Sequence, residues 1–246
     1  MIRRALIAGG ANGIGLAIAH ELAQRDSTEV VYVVDKSALA AEYQHPKIQP
    51  FLFDLTADDY SFFDRFGDID CLMVTAGFGH LALFKDIPET LISDYFNVNA
   101  IPAMRLVKRF YHKLEGAADF YCGVMVSIAG FMSSPFFSVY GATKAALKIF
   151  IESVNVELAK GGSHNCILNV SPGSVKGTAF NGGQTDLAQT RQLVVDLLRH
   201  LEAKEDLFIP KYEEVFKEVL QRYHDDFRKE GAHSYEYKKA DPRMSK

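Results

Sequence analysis

The stretch Arg4-Ala5-Leu6-Ile7-Ala8-Gly9-Gly10-Ala11-Asn12-Gly13-Ile14-Gly15 decides the fold of this chain. An apolar run opens straight into glycines, and Leu16 to Gln24 then sets Leu16, Ala19, Leu22 and Ala23 at helical intervals. Val30-Val31-Tyr32-Val33-Val34 follows as a second apolar run. Both runs are continuous rather than alternating. Continuous hydrophobicity means burial on both faces, the mark of a parallel sheet covered by helices on each side.

Outward from this unit the pattern repeats. Ile48 to Phe53 reads as a strand, Asp58 to Phe66 as a helix and Cys71 to Val74 as a strand. A helical stretch runs from about Thr90 to Leu114, broken near Pro102. Gly123 to Val126 is a fifth strand, Val139 to Ala159 a helix ended by Gly161-Gly162, and Cys166 to Val170 a sixth strand. The expectation is an α/β fold, Rossmann-like and doubly wound, with a mainly parallel sheet of about seven strands, helices on both faces and ligands at the carboxyl ends of the strands. At 246 residues, residues 1–246 read as a single domain, with no repeat or linker to divide them.

Composition narrows the function. A hydrophobic fraction of 48%, 24% charged residues and a formal charge of -4 give no nucleic-acid signature. The N-terminal apolar run is too short for a secretory signal or a membrane span. Cys71, Cys122 and Cys166 lie in hydrophobic segments and read as reduced core residues of a cytoplasmic protein, with no metal site implied.

The turn Gly9-Gly10-Ala11-Asn12-Gly13-Ile14-Gly15 has a physical use. It lets backbone approach a pyrophosphate closely and presents the free N–H groups of a helix N-terminus to it. Twenty residues after Gly15, Asp35 ends the second strand, where a carboxylate accepts hydrogen bonds from an adenosine ribose. The alternative for Asp35 is a turn residue or cap. The same carboxylate repels a 2'-phosphate, so NAD is expected over NADP, although Lys36 acts in the other direction.

Tyr140 and Lys144 lie four residues apart, on one face of the helix that begins near Val139. Alone, the pair also fits an ordinary solvated helix face. With these motifs together, the chain resembles the classical short-chain dehydrogenase/reductase family over roughly residues 1 to 180. Gly9, Gly13 and Gly15 match its glycine motif, with Ala8 in place of the usual threonine. Ala76-Gly77 matches the end of its Asn-Asn-Ala-Gly motif, with Val74 and Thr75 replacing the asparagines. Asn99 matches its helical asparagine, and Ser127 stands thirteen residues before Tyr140, as its catalytic serine does. Pro172-Gly173, Val175 and Thr178 resemble its nicotinamide loop, with Gly177 as an insertion.

The resemblance implies hydride transfer between a nicotinamide cofactor and a small secondary alcohol or ketone. Tyr140 is the implied general acid/base, aided by Ser127, Lys144 and Asn99. The implied cofactor set is Gly9, Asn12, Gly13, Ile14, Gly15, Asp35, Asp54, Leu55, Ala76, Gly77, Tyr140, Lys144, Pro172, Gly173, Val175 and Thr178. Since an unperturbed tyrosine titrates near ~10, Lys144 is expected to favour the phenolate. Pairing through the long helices implies a homodimer or homotetramer. Other readings on the same core are a nucleotide sensor without turnover and a sugar-nucleotide epimerase or dehydratase. Retention of both Tyr140 and Lys144 speaks against the sensor.

The substrate region is expected at Phe131, Met132, Phe136, Phe137 and Phe180 and over residues 178–206, with Gly182-Gly183 as a hinge before the helix Leu187 to Leu201. His80 reads as a loop residue. The C-terminal part departs from the family, with a helix over about 211–230. Its stripe Val215, Phe216, Val219, Leu220, Tyr223 and Phe227 is expected to be buried, Gly231 to end it and Ser234 to Lys246 to extend as a tail.

Overall fold

A computed structural model describes residues 1–178, 180 and 184–240. Seven strands, β1 (Arg4–Ala8), β2 (Val30–Asp35), β3 (Ile48–Leu52), β4 (Cys71–Val74), β5 (Tyr121–Met125), β6 (Ile167–Val170) and β7 (Leu207–Phe208), form one parallel sheet in the order β3-β2-β1-β4-β5-β6-β7. The order reverses between β1 and β4, which opens the crevice where ligands of doubly wound sheets bind. The helices are α1 (Gly13–Ala23), α2 (Glu89–Asn99), α3 (Ile101–Arg109), α4 (Tyr111–Leu114), α5 (Ser138–Lys160), α6 (Leu187–Glu202), α7 (Lys217–Asp225) and α8 (Phe227–Lys239).

Alternate residues of each strand feed two cores. Leu6 and Ala8 face Leu106, Leu147 and Ile151 of α3 and α5, whereas Ala5 and Ile7 face Ile18, Leu22, Val194 and Leu198 of α1 and α6. This two-sided burial is why the strands read as continuous apolar runs. The two edge strands are exceptions: Gln49, Pro50 and Leu52 of β3 and Leu207 of β7 are exposed. Proline is tolerated there because an edge strand leaves one row of N–H groups unused.

Several expected boundaries move. The helix expected over Asp58 to Phe66 is a 3-10 turn, Ser61–Phe66. Asp59 accepts from the Ser61 amide at 2.8 Å and its hydroxyl at 2.7 Å, fixing a late start. Cys166 precedes β6 rather than lying in it. The helical stretch after Thr90 breaks at Ala100, leaving Pro102 near the start of α3, where its missing N–H costs nothing.

The C-terminal region differs most. Asp226 divides it into α7 and α8, its side chain capping α8 by accepting from the Arg228 and Lys229 amides, both at 3.0 Å. Gly231 lies buried inside α8 rather than ending a helix, and residues through Lys239 are helical rather than an extended tail. No residue of α7 is fully buried, and Val215 and Phe227 are 43% and 51% exposed, so the stripe is not the buried face expected of it. Phe216 is an inward member, with its ring against Gly173. Gly182-Gly183 and residues 241–246 lie outside the described residues.

Candidate active site

The glycine turn is shaped by close backbone approach. Gly9 has φ +89°, and a Cβ there would overlap the Ala76 backbone, so both conformation and space demand glycine. A Cβ on Gly15 would overlap the Gly9 carbonyl and the Thr75 hydroxyl. Thr75 is a contributor that sequence reading missed: its hydroxyl contacts the Ala8 and Gly9 carbonyls at 3.1 and 2.9 Å. It ties β4 to the glycine turn in this chain, where the family pattern has asparagine.

Asp35 stands beside this turn, its carboxylate accepting from the Ala11 amide at 3.1 Å and the Ser37 amide at 2.9 Å. Asn12 precedes α1 without capping it by its side chain, which leaves the first amides of that helix to other acceptors. One of them, Gly13 N–H, donates to the Thr185 hydroxyl at 3.0 Å, while the Tyr43 hydroxyl reaches the Thr185 carbonyl at 3.4 Å. No motif flags this clasp. Ile14 packs on the α1 side of the core. Asp54 bonds the Thr56 amide and hydroxyl, which hold its carboxyl below the usual range. Leu55 is buried beside it.

At the carboxyl end of β5, Ser127 has an extended backbone, and its hydroxyl accepts from the Ala129 amide at 3.1 Å. It also donates over a long 3.5 Å to the Pro172 carbonyl, joining the serine to the Pro172-Gly173 loop. Thr178 is buried, its hydroxyl donating to the Val175 carbonyl at 3.2 Å. Tyr140 lies in the first turn of α5 and Lys144 one turn further, both buried, with Nζ 5.6 Å from the tyrosine ring centroid. The rings of Phe137 and Phe180 each lie 5.3 Å from that of Tyr140. Outside this cluster, His80 meets Tyr95 through its backbone amide and stays exposed.

Asn99, the last residue of α2, clamps the loop after β4. Its carboxamide accepts from the Phe78 amide and donates to the Phe78 carbonyl, both at 2.9 Å, and reaches the Thr143 hydroxyl at 3.4 Å. Thr143 is a second contributor that sequence reading missed, completely buried and donating to the Tyr140 carbonyl at 2.7 Å. A Cβ on Gly77 would lie 3.4 Å from Asn99 Oδ1 and 3.5 Å from Lys144 Nζ. The two polar groups therefore converge over a glycine that leaves the space open.

Electrostatics in this pocket are set by burial, not by the pair alone. Desolvation pushes the Tyr140 phenol up to about 12, and a hydrogen bond with Ser127 pulls the other way. The same desolvation lowers Lys144 to about 7. The expected dominance of the lysine charge is thus not what the protein alone shows, because an ammonium that loses water also loses charge near neutrality. Among the described residues its acceptor is the Met125 carbonyl at 2.9 Å. An ammonium has three N–H donors, so two remain for a ribose. Together with the close-packed glycine turn and an α1 start that its own Asn12 side chain leaves uncapped, this fits a dinucleotide.

The short chain dehydrogenase family model matches residues 3–188, and the chain belongs to that family. Family membership, on this doubly wound sheet, makes the protein a nicotinamide-dependent oxidoreductase acting on CH–OH or C=O groups. It is 28% identical over 233 residues to retinol dehydrogenase 8 of Bos taurus, covering 89% of this chain and 73% of that protein. The fold matches a short chain dehydrogenase from Burkholderia phymatum in complex with NAD, with TM-score 0.76, 17% identity and coverage of 92% and 94% of the two chains. It also matches the alcohol dehydrogenase of Thermococcus sibiricus complexed with 5-hydroxy-NADP, with TM-score 0.70, 21% identity and coverage of 84% and 95%. No helix among the described residues is long and apolar enough to cross a membrane.

Proposed function

We propose that this protein reduces ketones to secondary alcohols, and runs the reverse reaction, with Tyr140 exchanging the proton. The observation that carries the reading is the buried Tyr140–Lys144 pair beside Ser127, at the end of the sheet that bears the glycine turn. When bound, the nicotinamide cofactor supplies the hydride chemistry. A phenol raised to about 12 is protonated at neutral pH, so Tyr140 is poised to donate to an alkoxide developing on the substrate. Ser127 Oγ stabilises charge on that same oxygen. Lys144 would hold the cofactor ribose, and Asn99 Oδ1 would hold a water that links Lys144 to solvent.

Gly9, Asn12, Gly13, Ile14 and Gly15 would cradle the pyrophosphate, with Thr178 at its nicotinamide side. Asp54, Leu55, Ala76, Gly77, Pro172, Gly173 and Val175 would line the rest of the dinucleotide. Asp35, pinned at the end of β2 by the Ala11 amide, supports NAD over NADP. One domain would carry both cofactor and catalytic groups. The exposed Ile149 and Val156, seven residues apart on α5, support pairing of two copies through that helix. The free buried thiols Cys71 and Cys122 support a reducing, cytoplasmic compartment.

The test combines titration of NAD and NADP with a steady-state scan over small ketones and alcohols. Turnover by the native protein, tighter NAD binding and no turnover by Tyr140→Phe are expected. Binding without turnover on any substrate would overturn the catalytic reading in favour of a sensor.

A further inference from the structure

Helix α8 reaches the cleft through one face. Gly231, Ser234, Tyr235 and Lys238 recur at helical spacing, the glycine buried and the others half-buried. Gly231 brings the helix against Ser133, whose Oγ would lie 3.3 Å from any Cβ placed there. The Tyr235 ring lies 4.8 Å from that of Phe136. Lys238 Nζ donates to Ser134 Oγ at 2.6 Å and to the Pro135 carbonyl at 3.1 Å, and stands 5.6 Å from the Phe137 ring centroid. One helix face therefore meets each residue from Ser133 to Phe137.

That loop is not relaxed. Phe136 has φ 67°, a left-handed conformation that is strained for an aromatic residue and persists where surroundings impose it. Its carbonyl accepts from the Ala82 amide at 3.0 Å, and Tyr235 covers its ring. The next residue, Phe137, carries the constraint to the active site. Its carbonyl accepts from the Gly141 amide at 2.7 Å, and its ring lies 5.3 Å from Tyr140 and 6.4 Å from Phe180. Lys238 makes no ion pair among the described residues, and burial lowers its ammonium to about 8. A partly desolvated cation committed to two loop oxygens and an aromatic face acts as a fastener.

We infer that Lys238 is a positioning residue for substrate selection: by tying Ser134 and Pro135 to α8 it fixes Phe137 beside Tyr140, forming a wall suited to ketones and alcohols with a planar apolar ring next to the reacting carbon. The inference rests on Tyr140 being the catalytic acid. The Lys238–Ser134 bond spans 104 residues of sequence, and Lys238 is on a different element from every proposed catalytic residue.

The test uses the full chain with acetone and acetophenone as probes and saturating NADH. Lys238→Met is expected to raise KM for acetophenone about tenfold, the scale of one apolar contact, with kcat for both ketones and KM for acetone within about twofold of wild type. Lys238→Arg should restore the acetophenone KM, and Phe137→Leu should raise the acetophenone KM as Lys238→Met does. Equal changes for both ketones, or no change for either, would overturn the inference. If wild type and Tyr140→Phe are alike in reducing neither ketone, the catalytic reading fails by itself. Hydrogen exchange over residues 131–137 then decides the positioning role: faster exchange in Lys238→Met supports it, and unchanged exchange overturns it.

Discussion

The two sides of the cleft are held in shape by different means. On the cofactor side backbone meets backbone: Gly9 against Ala76, Gly15 against the Gly9 carbonyl, with Thr75 bonding across the seam. On the substrate side, aromatic rings meet rings and a distant lysine fastens the loop that carries them. The difference suits what each side is proposed to bind. A pyrophosphate has the same shape in every turnover and is read by fixed amides at a helix start, whereas a substrate wall is made of side chains that change without disturbing the sheet.

The strongest way to break this comparison is at the residue where the two sides meet. Tyr140→Phe keeps the ring among Phe137 and Phe180 but removes the proton. Its kcat should fall about 10²–10⁴-fold, while calorimetric NAD binding stays near wild type. Comparable loss of both would show that the tyrosine shapes the site rather than acting in it.

On the cofactor side, Gly9→Ala should destabilise the fold by about 3 kcal/mol, combining left-handed strain with overlap on Ala76. Urea unfolding and NAD titration would measure it. A variant that unfolds like wild type and still binds NAD would remove the argument for backbone-to-backbone fit.

Lys144 sharpens the comparison through pH. Its folded pKa of about 7 lies below the ordinary lysine value of 10.5, so the folded state binds fewer protons than the unfolded chain between those limits. Its contribution to stability is therefore full above 10.5 and is lost as pH falls toward about 7. Between these values the cofactor-free protein should gain up to about 1.4 kcal/mol per pH unit from this group. Lys144→Met should remove that gain in urea unfolding at pH ~7.5 and ~9. Tyr140 is raised instead, so its contribution is full below 10 and lost as pH climbs through about 12. It therefore overlaps the Lys144 window only above 10.

The smallest expected effect is at the seam. Thr75→Val keeps the shape but loses the bonds to Ala8 and Gly9, and should cost about 1 kcal/mol. An unchanged midpoint in urea would mean that the close packing of Gly15 alone holds the turn.

Much of the fold was legible because it depends on local periodicity. Continuous apolar runs gave the strands, and Gly161-Gly162 placed the end of α5 correctly. The reading failed where a single residue overrode the pattern. Asp59 delayed the helix before Phe66, and Asp226 divided the C-terminal stripe. Gly231, read as a terminator, was instead the point where α8 approaches Ser133. Its neighbours Ser234, Tyr235 and Lys238 carried the helical spacing, but polar side chains on that face concealed an inward stripe.

The candidate site divides along the same line. The sequence by itself determined the glycine turn, the β2 carboxylate, and the order and spacing of Asn99, Ser127, Tyr140 and Lys144, because a backbone turn and a helical repeat are encoded within a few residues. Tertiary structure alone decided that Thr75 and Thr143 support the site, that burial rather than the neighbouring charge governs Tyr140, and that Lys238 stands behind Phe137. Desolvation and contacts between distant segments exist only once the chain has folded around them.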